Sequence, residues 1–159
     1  LTYKKYKLLA KLLPSIIHQK PANFEVIVVD NGCLQQTKKV VFDAFRADAT
    51  ARNTPFKYLP ICDNPGYAIG NNRGVEIASS ESAKWIQFMN DDVILQGENF
   101  FKDMMEVSEY QPNAGGAVCK LLTHSGEELI EAGSIVWSDA SATGIGRGNV
   151  YHNSPSLSY

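Results

Sequence analysis

An α/β fold with a mostly parallel sheet, covered by helices on both faces, is what this sequence predicts. Three observations carry the prediction. Short β-branched and aromatic runs alternate with amphipathic helical patterns along the chain. The strands of that alternation end in acid- and glycine-containing turns, as in sheets whose ligands bind beyond the carboxyl ends of the strands. The 159 residues, 44% hydrophobic and 20% charged, are enough to bury a core, and favour one domain.

Leu8, Leu9, Leu12, Leu13, Ile16 and Ile17 recur at helical spacing from Tyr6 to Ile17, with Lys4, Lys5, Lys7 and Lys11 between them, which predicts an amphipathic helix. Pro14 lies inside this pattern and lacks a backbone donor, so a kink or a break is expected there. Glu25 to Val29 is a β-branched run stopped by Asp30, Asn31 and Gly32, a buried strand and its exit turn. A helix over Lys38 to Phe45 presents Val41 and Phe45 on one face, and a strand comes next at Phe56 to Leu59. After the break at Asp63 to Gly66, a helix is expected over Ile69 to Ala78 and a third strand over Lys84 to Met89, ending at Asn90, Asp91 and Asp92. A helix around Phe100 to Val107 and a strand at Ala117 to Leu122 complete the series. Beyond Gly126 the chain turns rich in Gly, Ser and Thr, with one strand expected at Ser134 to Trp137.

Bulk properties exclude some functions. A net charge of −2 and a pI near 5.9 give no basic field, so nucleic acid is not an expected partner. No apolar run approaches the roughly 20 residues that span a bilayer, so no transmembrane segment is expected. Cys33, Cys62 and Cys119 are few, odd in number and widely spaced, and read as ordinary thiols of a reducing compartment. The expected location is the cytoplasm, peripheral to a membrane if the lysine face of Lys4 to Lys11 meets a lipid surface.

Three segments could carry chemistry. In FMNDDV, Phe88 to Val93, a strand delivers two adjacent carboxylates into a loop, where they could hold a divalent cation or serve as ordinary turn or helix-capping residues. Mg²⁺ or Mn²⁺ needs only one or two such groups when water and substrate phosphates complete its shell. In VIVVDNG, Val26 to Gly32, Asp30 stands at a strand tip, where it could accept hydrogen bonds from a nucleoside or simply end the strand. In DNPGYAIGNNRG, Asp63 to Gly74, glycines precede and enter a helix, permitting close backbone approach to a ligand and an anion at the helix start. Their spacing is neither the dinucleotide fingerprint nor the Walker P-loop.

VVDNG, NPGYAIGNNRG and FMNDDV occurring together, in this order, resemble the inverting GT-A glycosyltransferases of family 2, especially the rhamnosyltransferase-like members. The resemblance runs from Leu1 to about Arg147. It implies a GT-A, Rossmann-like fold truncated at both ends: one domain over 1–159, with a nucleotide-binding half at 1–122 and the start of an acceptor half at 123–159. It also implies a UDP- or dTDP-sugar donor, a glycan or lipid-linked acceptor and a divalent metal. On the same basis Thr2 and Tyr3 border the nucleobase and Asp30 and Asn31 meet base or ribose. Asn64, Gly66 and Asn72 lie along the nucleotide, and Asn90 to Asp92 take the place of the family's D-x-D motif. Asn90 replaces the first aspartate, which leaves Asp92 as the metal ligand and Asp91 to bind ribose, bind metal through water or cap the turn. The general base is expected downstream of Tyr159, because Glu109, Glu127, Glu128, Glu131 and Asp139 do not stand in the family's context for it. The alternative reading is a non-catalytic nucleotide-sugar-binding module of a larger enzyme.

Overall fold

The computed structural model describes residues 1–20, 23–47, 54–81, 83–110, 117–123, 128–131, 133–136, 142–145 and 149–150. Two compact units result, Leu1–Asp103 and Met104–Tyr159.

In the first unit, β1 (Val26–Asp30) and β2 (Phe56–Pro60) pair in parallel, from Val26 opposite Phe56 to Asp30 opposite Pro60. On the other side of β1, Thr2 forms a parallel bridge to Asp30. Its N–H donates to Val29 O at 2.8 Å, and its carbonyl accepts from Asn31 N at 2.9 Å. The order is therefore Thr2, β1, β2. Val26 and Val28 face a core built from Leu9, Leu12, Leu13, Ile16 and Ile17 of α1 (Tyr6–Ile17) and Val41 and Phe45 of α2 (Gln35–Arg46). Phe45 stacks on Phe56 with ring centroids 4.2 Å apart. Side chains alternate across a strand, so Val29 points to the opposite face, where a Cβ on Gly74 of α3 (Tyr67–Ser80) would meet it at 3.1 Å. Helices thus cover both faces, as the alternation of elements predicts.

The expected break at Pro14 does not occur: α1 runs through it. Proline removes one i→i−4 bond, but Leu12, Leu13, Ile16 and Ile17 around it are all buried, and His18 N closes the next turn on Pro14 O at 3.0 Å. Tertiary burial outweighs the missing bond.

The strand expected over residues 84–89 is absent. The segment has a bend at Lys84 and joins no ladder, and Trp85, Ile86 and Phe88 are exposed. Beyond it, side chains rather than a ladder hold the chain. Gln19, fully buried, donates to Ser15 O (3.0 Å) and Gly97 O (2.9 Å) and accepts from Phe100 N (2.8 Å), while Ser15 Oγ accepts from Leu95 N (3.1 Å). The stretch after Asp92 is therefore fastened to the end of α1 and to the start of α4 (Phe100–Tyr110).

The reading of all three cysteines as thiols is also overturned. Cys33 and Cys62 form a disulfide, with Cα atoms 5.0 Å apart, and Cys119 alone is free. Parallel pairing brings the exits of β1 and β2 side by side, a neighbourhood that 29 residues of sequence separation conceal. With it goes the cysteine argument for a reducing compartment.

The second unit is antiparallel where described. β3 (Leu121–Leu122) pairs with β4 (Glu128–Glu131), which pairs with β7 (Asn149–Val150), and β5 (Gly133–Val136) pairs with β6 (Ala142–Ile145). The strand expected over residues 117–122 is reduced to its last two residues, and the one expected at 134–137 appears one residue earlier. Trp137 and Arg147 lie outside the described residues. No helix among the described residues is long and apolar enough to cross a membrane.

Candidate functional site

Thr2 organises the site. Its backbone is stitched to the tip of β1, and its hydroxyl donates to Asp91 Oδ2 at 2.7 Å. One residue thereby joins the VVDNG turn to the NDD segment, 89 positions further along the chain. Both Thr2 and Asp91 are buried, where a charge-assisted hydrogen bond is strong and its loss costly.

Asp30 is fully buried, and both its oxygens are engaged: Oδ1 accepts from Gly32 N at 2.9 Å and Oδ2 from Tyr58 OH at 2.6 Å. Burial, then the Asp30 carboxylate, raise the Tyr58 phenol well above its ordinary value. Asp30 thus shapes the turn at the exit of β1. Asn31, also buried, donates through Nδ2 to Gly66 O at 2.9 Å, and its Oδ1 has no partner among the described residues.

The three glycines of the third segment divide their tasks. Gly66, the residue before α3, has φ +90° and open space around it. A Cβ on Gly70 would stand 2.8 and 2.9 Å from the Asn31 amide and 2.6 Å from Leu1, and one on Gly74 would press on Val29. Close approach to a ligand is therefore a reading that fits Gly66 alone. Gly70 and Gly74 bring α3 against β1 and Asn31, a protein contact.

Asp92 is half exposed, and Asp91 presents its remaining oxygen, Oδ1, beside it. Between them stands the ammonium of Lys5, 3.6 Å from Asp91 Oδ1 and 3.5 Å from Asp92 Oδ2. Among the described residues no three His, Cys, Asp or Glu side chains cluster as a metal cage. Two carboxylates already holding a cation in common are, however, the hard-oxygen set that a phosphate-bound divalent ion requires of a protein. The donor set fits such an ion, with Lys5 as its stand-in.

Tyr3 is exposed under the Lys4 ammonium, which lies 5.0 Å from the ring centroid. Asn64 (φ 43°), Asn72 and Asn90 are exposed, and the structure shows no side-chain hydrogen bond that ties them to the others. An open cleft of about 640 Å³ lies beside the disulfide, lined by Lys38, Phe42, Phe56 and Tyr58 among others, and includes none of the predicted binding residues. Sequence reasoning missed Lys5, Tyr58 and Gln19. For Lys5 a signal existed, its place three residues after Thr2. The side chains of Glu109, Glu127, Glu128, Glu131 and Asp139 lie outside those described.

A family model for glycosyl transferase family 2 matches residues 1–142. The chain belongs to that family. Membership of family 2 implies the GT-A fold, of which the parallel pairing at β1 is the visible part, and, for the family, a nucleotide-sugar donor and a glycan acceptor. Family 2 enzymes often use divalent metals. No curated protein and no solved structure matches the chain.

Proposed function

We propose that this family 2 glycosyltransferase binds a UDP- or dTDP-sugar, rhamnose among the candidates, and transfers the sugar with inversion to a hydroxyl of a glycan or lipid-linked acceptor. The bond from Thr2 to Asp91 is the observation that carries the reading, because it gathers the β1 turn and the NDD segment at one place. In this reading Thr2, Tyr3 and the turn at Asp30 and Asn31 border the nucleoside. Asn64, Gly66, Asn72 and Asn90 line the donor's course toward Asp91.

Asp92, with Asp91 beside it, would hold Mg²⁺ or Mn²⁺, which would supply Lewis-acid neutralisation of the diphosphate leaving group. Thr2 fixes the Asp91 carboxylate in one orientation, which spares the site that reorganisation when charge develops. The acceptor oxygen forms its bond to the anomeric carbon from the face opposite the diphosphate while the carbon–phosphate-oxygen bond breaks. The electron pair leaves with the nucleoside diphosphate, and the acceptor proton passes to a carboxylate base.

Calorimetric titration with UDP and with dTDP, each with and without Mn²⁺, tests the reading. Nucleotide binding that strengthens with Mn²⁺ is the expected result, with the enhancement lost in Asp92→Asn. Binding indifferent to the metal, or none, overturns it.

A further inference from the structure

Lys5 holds an unusual position for a lysine beside a metal motif. It is the residue before α1, and its carbonyl accepts from Leu8 N (3.0 Å) and Leu9 N (3.1 Å), so its backbone is fixed. Its side chain is 52% exposed and crosses to two carboxylates at once, Asp91 (8% exposed) and Asp92 (48%). Thr2 occupies Asp91 Oδ2, so the oxygens facing Lys5 are those left for a cation. At 3.5 and 3.6 Å the contacts exceed the 2.7–2.9 Å or so of a tight charge-assisted hydrogen bond, so charge rather than tight hydrogen bonding holds the ammonium. Of the other charged groups nearby, Lys4 is committed elsewhere, its stem against Gly32 and its ammonium over Tyr3, and the Leu1 ammonium, which also attracts Asp91, donates to Met89 O at 3.3 Å.

We propose that Lys5 is a tethered counter-ion that competes with the divalent cation for Asp91 and Asp92. The proposal rests on the metal-site reading of the proposed function. Two unit negative charges this close repel each other, and a single ammonium between them relieves the repulsion in the metal-free protein. A divalent ion taking the same oxygens must displace that ammonium, so the metal-free site is screened against cations arriving alone. Four flexible methylenes on a fixed root let the head swing clear, free to meet a diphosphate oxygen. Lys5 is a positioning residue for the metal step, and its charge sets the metal affinity.

The test is Mn²⁺ binding to the whole chain without nucleotide, read from the electron paramagnetic resonance signal of free Mn²⁺, for wild type, Lys5→Met, Lys5→Gln and Lys5→Arg. Both neutral variants should bind Mn²⁺ more tightly by roughly three- to tenfold, the range that two ion pairs of a half-exposed lysine supply, while Lys5→Arg stays near wild type. A merely structural lysine would give the opposite sign, weaker binding on removal. Unchanged or weaker binding in both neutral variants overturns the proposal and leaves the metal site standing. Absence of Mn²⁺ binding in wild type and variants alike overturns the proposal, and the metal site is then decided by the titrations with UDP and dTDP, in which phosphates complete the ion's shell. Unfolding midpoints of the two neutral variants identify any that folds poorly, and the other then decides.

Discussion

At Gly66 the backbone takes φ +90° and ψ −179° with nothing within 4 Å of the missing Cβ, a region essentially reserved for glycine. Four residues on, Gly70 lies inside α3, where the limit is space: its Cβ would stand within 3 Å of the Asn31 amide. Magnitudes decide the outcome of Gly70→Ala. Alanine gains about 1 kcal/mol of helix propensity, but overpacking costs about 1–3 kcal/mol and the Asn31 bond to Gly66 adds about 1 kcal/mol when disturbed. A net loss of about 1–3 kcal/mol is expected, and Gly66→Ala should lose about 1–3 kcal/mol through strain alone. Urea unfolding of the two variants measures both, and an unchanged midpoint for Gly70→Ala would show that Asn31 gives way freely. The motif was legible in the sequence as glycines at a fixed interval. Which constraint each one answers was not, because that depends on what lies opposite, and Asn31 comes from a separate segment of the chain.

Among the elements, the helices announced themselves and the third strand did not form. A helix satisfies its backbone internally, so the periodicity of Leu9, Leu12, Leu13 and Ile16 suffices to predict α1, and burial of the same residues carries it past Pro14. A strand satisfies its backbone only with a neighbour, and none of the described strands pairs with residues 84–89. Gln19 and Ser15, at the end of α1, fasten the chain beyond the NDD segment instead. The disulfide works at the same scale, tying the exit of β1 to the exit of β2. Closing a loop of 29 residues removes unfolded-state entropy worth about 3–4 kcal/mol. Reduction with dithiothreitol, or the double variant Cys33→Ser with Cys62→Ser, should lower unfolding free energy by about that much in a urea titration. An unchanged midpoint would mean that the two cysteines do not pair in solution.

Across the whole molecule, the Tyr58–Asp30 pair couples the fold to pH. The folded protein holds the Tyr58 proton more tightly than an ordinary phenol, first through burial and then through Asp30, whereas the unfolded chain releases it near pH 10 or so. Below that pH both states keep the proton, and the pair's stabilisation is complete. Above it the unfolded chain binds fewer protons than the folded one, so stability falls as pH rises. Unfolding free energy measured from about pH 8 upward should decline past about pH 10 more steeply in wild type than in Tyr58→Phe, which lacks the phenol. Equal slopes would show that the Tyr58–Asp30 pair does not couple folding to pH.

The amino-acid sequence by itself determined the periodic elements of the first unit and the three motifs that mark the family. Hydrophobic period and turn chemistry act over a few neighbouring residues, and the motifs are contiguous. Only the tertiary structure decided that Thr2 clasps Asp91, that Lys5 stands between Asp91 and Asp92, that Tyr58 and Gly32 saturate Asp30, and that Cys33 reaches Cys62. Apart from the Asp30–Gly32 turn, each of these joins residues from separate segments. Such contacts are selected by how strands pair and helices pack, and no local pattern in the chain encodes that choice.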